Sequence, residues 1–234
     1  MIVSINQPAY FPWLGYFQRI AVSDLHVVLD HVQFEKNSFT NRNRIRTADG
    51  WTWLTAPVKT KGRFGECGIK TLELDATSNW REKHWKSLLQ NHCKCPYWKD
   101  HAAFLEAIYV KEWLYLADLC REMTTYFLKA LGIGTPIQYS SNLTPQQAKD
   151  ELVLELCKKV GATVYLSGTL GRNYLREPLF TSAGIRVIYQ DYHHPVYPQH
   201  SRDGFEPYMS ILDLLVNCGP ESRAVLLQGQ EVHA

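Results

Sequence analysis

The first 30 residues constrain this chain more than any other stretch. Ile2-Val3-Ser4-Ile5 is a short apolar run with the character of a buried strand. Asn6-Gln7-Pro8 stops it, because Pro8 has no N–H to give a sheet ladder. Pro12 stands where a helix opens without losing a hydrogen bond. Leu14, Phe17, Ile20 and Ala21 then recur at helical spacing. Leu25 to Leu29 is a second apolar run and ends on Asp30. Strand, helix and strand predict a parallel, right-handed βαβ unit. Open parallel sheets bind ligands beyond the carboxyl ends of their strands. Here those ends carry Asn6, Gln7, Asp30, His31 and Gln33, a polar set after apolar strands.

The rest of the chain reads as further elements. Asp49-Gly50 predicts a hairpin turn that pairs Arg44–Thr47 with Trp51–Thr55. Lys59 to Gly65 is a basic, glycine-bearing loop, and the alternation from Ile69 to Leu74 predicts a half-exposed strand. Three helices follow: Trp80 to His92, capped by Asp75 or Ser78, then Tyr97 to Tyr109, then Glu112 to Leu131 with Gly132 as a left-handed stop. Pro136 to Ser140 is a short strand. Thr144-Pro145-Gln146-Gln147 has the form of a helix N-terminus, with the helix running to about Val160. Thr163 to Leu166 is a strand ending at Ser167-Gly168, Tyr174 to Thr181 a short helix, and Gly184 to Tyr189 the last strand. A polar, aromatic loop from Asp191 to His200 precedes an apolar helix from about Met209 to Asn217. Strands at both ends predict one α/β domain over residues 1–234, mostly parallel in its sheet. Residues about 34–131 are an inserted small hairpin and helical section.

Composition excludes several classes. A net charge of +2 gives no field directed at nucleic acid or an anionic membrane. No apolar stretch has membrane-spanning length, and no signal peptide is visible. The six cysteines then read as reduced thiols of a cytoplasmic protein. Cys93 and Cys95 are spaced too closely for a zinc knuckle, so no metal site is assigned, nor any cofactor.

Each candidate site residue has a plain alternative. Tyr10, Trp13 and Tyr16 line a helix start as substrate contacts or as packing. Asp30 is a base or ligand group, or a cap or ion-pair residue. Asn41, Arg42 and Arg44 form a phosphate clamp, or a solvated strand face with both arginines on one side. His193 and His194 point opposite ways on an extended chain, which disfavours a shared metal; one of them as a general base beside Tyr192 or Tyr197 fits better. Gln199 ends that loop. Ser167-Gly168, with Tyr174 beyond, is a phosphate-binding turn or an ordinary loop. Asp213, in an apolar run, either pairs with an arginine such as Arg44 or lies on a wet helix face.

The opening Gln-Pro-x-Tyr-x-Pro-Trp-Leu-Gly-Tyr-Phe, Gln7 to Phe17, resembles the WbqC-like family. So do Leu29-Asp30-x-Val32-Gln33-Phe34, Asn41 to Ile45, Tyr165 to Gly168, Tyr192 to Gln199 and Ser210 to Leu215. The resemblance implies a role in bacterial surface-polysaccharide (O-antigen, lipopolysaccharide) biosynthesis. Residue 6 is Asn where many members are expected to carry His, and residue 31 is His in place of a second acid. The start also looks like the HIGH-type nucleotidylyltransferases, a Rossmann-like fold. Their two histidines are replaced here by Trp13 and Tyr16, and only Gly15 is kept. That likeness implies the fold and nucleotide binding, without nucleotidyl transfer.

The expected function is a transferase acting on a nucleotide-linked sugar, in one version moving an acyl or aminoacyl group from a donor to an amino sugar. Asp30, His31, His193 and His194 are the expected catalytic residues, with Asp30 and the histidine pair facing one another across a pocket. The alternatives are an ATP-dependent ligase or nucleotidylyltransferase-like enzyme, and a non-catalytic glycan- or nucleotide-binding accessory protein.

Overall fold

The computed structural model describes residues 1–60, 67–200 and 204–228. In chain order the elements are β1 (Ile2–Asn6), α1 (Leu14–Ala21), β2 (Leu25–Val28), β3 (Arg42–Thr47), β4 (Gly50–Thr55), α2 (Trp80–His92), α3 (Trp98–Val110) and α4 (Leu116–Ala130). They continue with β5 (Ile137–Tyr139), α5 (Ser140–Leu143), α6 (Lys149–Lys159), β6 (Val164–Ser167), α7 (Glu177–Ser182), β7 (Arg186–Tyr189), α8 (Ile211–Cys218) and α9 (Ser222–Leu226).

Five strands form a sheet in the order β5-β2-β1-β6-β7, and every neighbouring pair is parallel. The opening βαβ unit is therefore present, with Ser4 level with His26 and Asn6 level with Val28. The chain builds outward from β1 in one direction through β2 and β5, then returns to its other side for β6 and β7. The order reverses between β1 and β6.

Alternation along the strands decides what each face meets. Val3, Ile5, Leu25 and Val27 pack with Leu152, Val153 and Leu156 of α6 and Phe180 of α7. Ser4 and His26 point the other way, and the His26 ring sits 5.6 Å from that of Tyr16 on α1. On this side α1 buries Leu14, Phe17 and Ile20 among residues of α2, α3, α4 and α8. The β3–β4 hairpin is a separate two-stranded sheet. Its Ile45 and Leu54 enter the same core, while Asn43 Nδ2 donates to Phe11 O at 2.5 Å. Gly50, at φ +121°, makes the turn that the Asp-Gly pair predicts.

Local expectations fail where a tertiary partner replaces a local one. Ile69–Thr71 is a 3-10 turn, not a strand; past it, Glu73 and Leu74 form single bridges to Tyr115 and Val58. Asp75 does not cap α2; its Oδ1 accepts from Thr77 N and Oγ1 in a tight turn, and Asn79 precedes the helix. α4 begins at Leu116, four residues beyond Glu112. Thr144 is no helix cap. It ends α5 in the left-handed region at φ +44°, and Gln146 and Gln147 donate their N–H groups to Glu155 Oε2 instead. Tyr174 follows a 3-10 turn, Thr169–Asn173, and α7 starts only at Glu177. The basic loop is described only to Thr60 and lies otherwise outside the described residues.

Candidate functional site

Asp30 lies two residues beyond β2 and is 1% exposed. β5 pairs with β2 and delivers Ser140 and Ser141 to it. Asp30 Oδ1 accepts from Ser140 Oγ at 3.0 Å and Ser141 N at 2.9 Å, and Oδ2 accepts from Ser141 Oγ at 2.7 Å. Asp30 N in turn donates to Ser140 Oγ at 3.2 Å. His31 Nδ1 lies 2.5 Å from the same Oγ. Ser140 has one hydroxyl hydrogen, and Asp30 takes it. His31 Nδ1 must then carry the proton and donate, which leaves Nε2 as the basic nitrogen. Burial lowers the His31 pKa, with Asp30 and Glu155 opposing it in part, so the ring is neutral near pH 7. The chain Asp30–Ser140–His31 is an oriented base. Both Asp30 oxygens are engaged by Ser140 and Ser141.

A narrow cleft with a cavity volume of about 10 Å³ lies beside Asp30, lined also by Tyr16, Cys120, Arg121, Thr124 and Tyr139. The Arg121 guanidinium lies 3.9 Å from the centre of the Tyr139 ring. The Tyr16 hydroxyl is buried there without a hydrogen-bond partner. Ser140, Ser141 and Arg121 were not legible as site residues, since no local signal says that β5 lies beside β2.

At the reversal between β1 and β6, Asn6 is half-buried and its neighbour Gln7 accepts from Thr40 Oγ1 at 3.2 Å. Ser167 is buried and donates to Gly168 O at 3.1 Å. Arg19, from α1, reaches the backbone of Gly168 from behind. Tyr174 hydrogen-bonds Tyr165.

The hairpin presents Arg42 and Arg44 on one face, as alternation requires. Arg42 lies 4.4 Å above the Trp53 ring and Arg44 4.6 Å above Trp51. The Arg42 fork is already bound to Asn37, at 3.2 Å and 2.7 Å. Rings continue from Trp53 to Phe39 (6.1 Å), Trp13 (5.1 Å) and Tyr16 (5.7 Å), which connects this face to the cleft. Gln33 is exposed at the rim. Two expected contacts move into the framework. Asn41 Nδ2 donates to Ala56 O at 2.9 Å. Tyr10 is fully buried, its hydroxyl bonded to His84 and Tyr109, so neither faces a ligand.

The histidine loop forms its own neighbourhood. His193 is exposed, 4.0 Å from Asp191. His194 donates from Nδ1 to Pro195 O at 2.9 Å and packs among Tyr192, Tyr197, Phe205 and Tyr208. Tyr197 OH and Gln199 Nε2 donate to Asp213 Oδ2 at 2.8 and 2.7 Å, so both serve the framework. Asp213 is 1% exposed, and burial raises its pKa to about 6 despite those two donors. The arginine whose charge reaches it is Arg46 rather than Arg44, and the wet helix face does not hold. Asp30 and His194 leave the same edge of the sheet, but β2 and β7 are three strands apart, about 14 Å at the usual strand spacing. No hydrogen bond or ring contact joins them.

A five-stranded parallel sheet flanked by helices, with the Asp30–Ser140–His31 chain at its carboxyl edge, defines an α/β protein of the open-sheet class. The chain belongs to the WbqC-like protein family, whose model matches residues 7–225. It is similar to the uncharacterized protein Rv1507c of Mycobacterium tuberculosis (strain ATCC 25618 / H37Rv), 38% identical over 221 residues, which cover 94% of this chain and 95% of that one. No solved structure matches it. Among the described residues no helix is long and apolar enough to cross a membrane.

Proposed function

We propose that this protein is a cytoplasmic transferase acting on a nucleotide-linked sugar in bacterial surface-polysaccharide biosynthesis, and that it moves an acyl or aminoacyl group onto a sugar amine. The single observation that carries the reading is the Asp30–Ser140–His31 chain, whose Asp30 lines the cleft. In this reaction His31 Nε2 takes the amine proton as the new C–N bond forms and the acyl carbon leaves its donor. The strand order supports a Rossmann-like reading of residues 1–234 as one domain, with residues 34–131 inserted. The Arg42–Trp53 and Arg44–Trp51 stacks, continued by the aromatic run to Tyr16, suit the flat faces of sugar rings lying along the hairpin. Among the described residues His194 bonds the Pro195 carbonyl and no acid, so His31 carries the proton transfer in this reading.

The test is binding and turnover with a panel of nucleotide-linked amino sugars and acyl donors. Binding of a nucleotide sugar, with turnover lost in His31→Gln and binding kept, is expected. Absence of any nucleotide-sugar binding at millimolar concentration refutes the reading. ATP consumption with pyrophosphate release would replace it with the ligase chemistry.

A further inference from the structure

α1 carries a buried guanidinium that no carboxylate neutralises among the described residues. Arg19 is 4% exposed. Its Nε is buried without a hydrogen-bond partner, and among the described residues its Nη atoms meet no carboxylate and donate to no acceptor. Burial lowers its pKa, opposed only by tyrosine hydroxyls, those of Tyr165, Tyr16 and Tyr174. A charge taken out of water is costly unless a counter-charge meets it. Folds keep such a group where a ligand supplies the missing anion.

The surroundings fit that use. A Cβ on Gly168 would strike Arg19 Nη1, with Cζ 3.5 Å and Nη2 3.8 Å away. Only a glycine there lets the Nη edge lie against the strand end. The register pairs Ser4 with Leu166; continued by two residues, it sets Gly168 beside Asn6. The Asn6 carboxamide makes no hydrogen bond among the described residues. β1 and β6 are the two strands between which the order reverses, the place where open parallel sheets receive ligands.

We propose that Arg19 is an anion anchor at the β1–β6 crevice, holding a phosphoryl oxyanion against Gly168 with Asn6 beside it. The planar fork of arginine matches two phosphoryl oxygens at once. Assigning that phosphoryl group to a nucleotide-linked substrate rests on the transferase reading above; the anion site rests on the geometry alone. Arg42 and Arg44, the expected clamp, lie on the hairpin tryptophans instead.

Inorganic pyrophosphate titrated into the full chain tests this, read by calorimetry and by the arginine side-chain nitrogen resonances. Saturable binding with movement of the Arg19 resonance is expected in the unaltered protein. Arg19→Lys, shown folded by circular dichroism, is expected to weaken binding about ten- to a hundredfold, the loss of a charge-assisted fork. No saturable binding, an unmoved Arg19 resonance, or unchanged affinity in Arg19→Lys overturns the proposal. An equal response to acetate overturns the phosphoryl assignment. Pyrophosphate binding through Arg19 with no nucleotide-sugar binding sinks the transferase reading and upholds the anion site. Nucleotide-sugar binding undiminished by Arg19→Lys does the reverse.

Discussion

Mild acid should destabilise this protein strongly, because His26, His84 and His92 are buried with their pKa values pushed well down. His26, on β2, is 0% exposed; its Nδ1 meets Ser4 Oγ at 2.8 Å, and its Nε2 has no partner. Burial, helped by the nearby Arg19 charge, lowers its pKa to about 3. His84, bonded to Tyr10, and His92, bonded to Leu88 O, are lowered by burial to about 4. An unfolded histidine titrates near 6.5. The unfolded chain therefore binds protons that the native state refuses, and stability is lost as pH falls below 6.5. At pH 5 each of the three contributes a loss of roughly 2 kcal/mol. Asp213 acts oppositely. Its folded pKa of about 6 exceeds the ordinary 3.8, so the native state gains a proton first and recovers roughly 1 kcal/mol at pH 5. The net loss from pH 7 to pH 5 is about 4 kcal/mol, a large part of a typical stability of about 5–15 kcal/mol. With a urea slope of about 2 kcal/mol/M the midpoint should fall by about 2 M. Urea titrations at the two pH values measure this, and His26→Gln and His92→Gln should each remove about half of the difference. Equal midpoints at pH 7 and pH 5, or an undiminished difference in both variants, would refute the reasoning.

Three further outcomes are expected. Ser140→Ala removes the hydroxyl shared by Asp30 and His31; turnover should fall about tenfold or more with substrate affinity kept, since an unoriented base is lost, and the His31 titration followed by NMR should move. Gly219→Ala places a Cβ against the Tyr97 ring at a backbone φ of +50°; a loss of about 2 kcal/mol or more in urea titration is expected, and an unchanged midpoint would contradict it. Tyr197→Phe removes one of the donors to Asp213; the carboxyl pKa should rise above about 6, with a loss of about 1–3 kcal/mol at pH 8 that shrinks toward pH 5 as the acid protonates.

Local periodicity carries a long way in this chain. β1, α1, β2, the hairpin turn at Gly50, α2 and β6 were readable because each is decided by neighbours within a few residues: an apolar run, a helical stripe, a glycine at positive φ. The same logic misread Thr144 and Ile69–Leu74, where Glu155 and residues as distant as Tyr115 supply the hydrogen bonds. Among site residues, Asp30 and His31 were visible as polar groups after a buried strand. Their roles were not, because Ser140 lies 109 residues from His31.

What the amino-acid sequence determined by itself is the set of elements and the polar character of the strand tips, since both follow from short-range backbone geometry. The tertiary structure alone decided the strand order, and through it every partnership that makes a site. It brings Ser140 under Asp30 and lays Arg19 against Gly168. Those pairings join segments distant along the chain, and only the sheet brings them within hydrogen-bond reach.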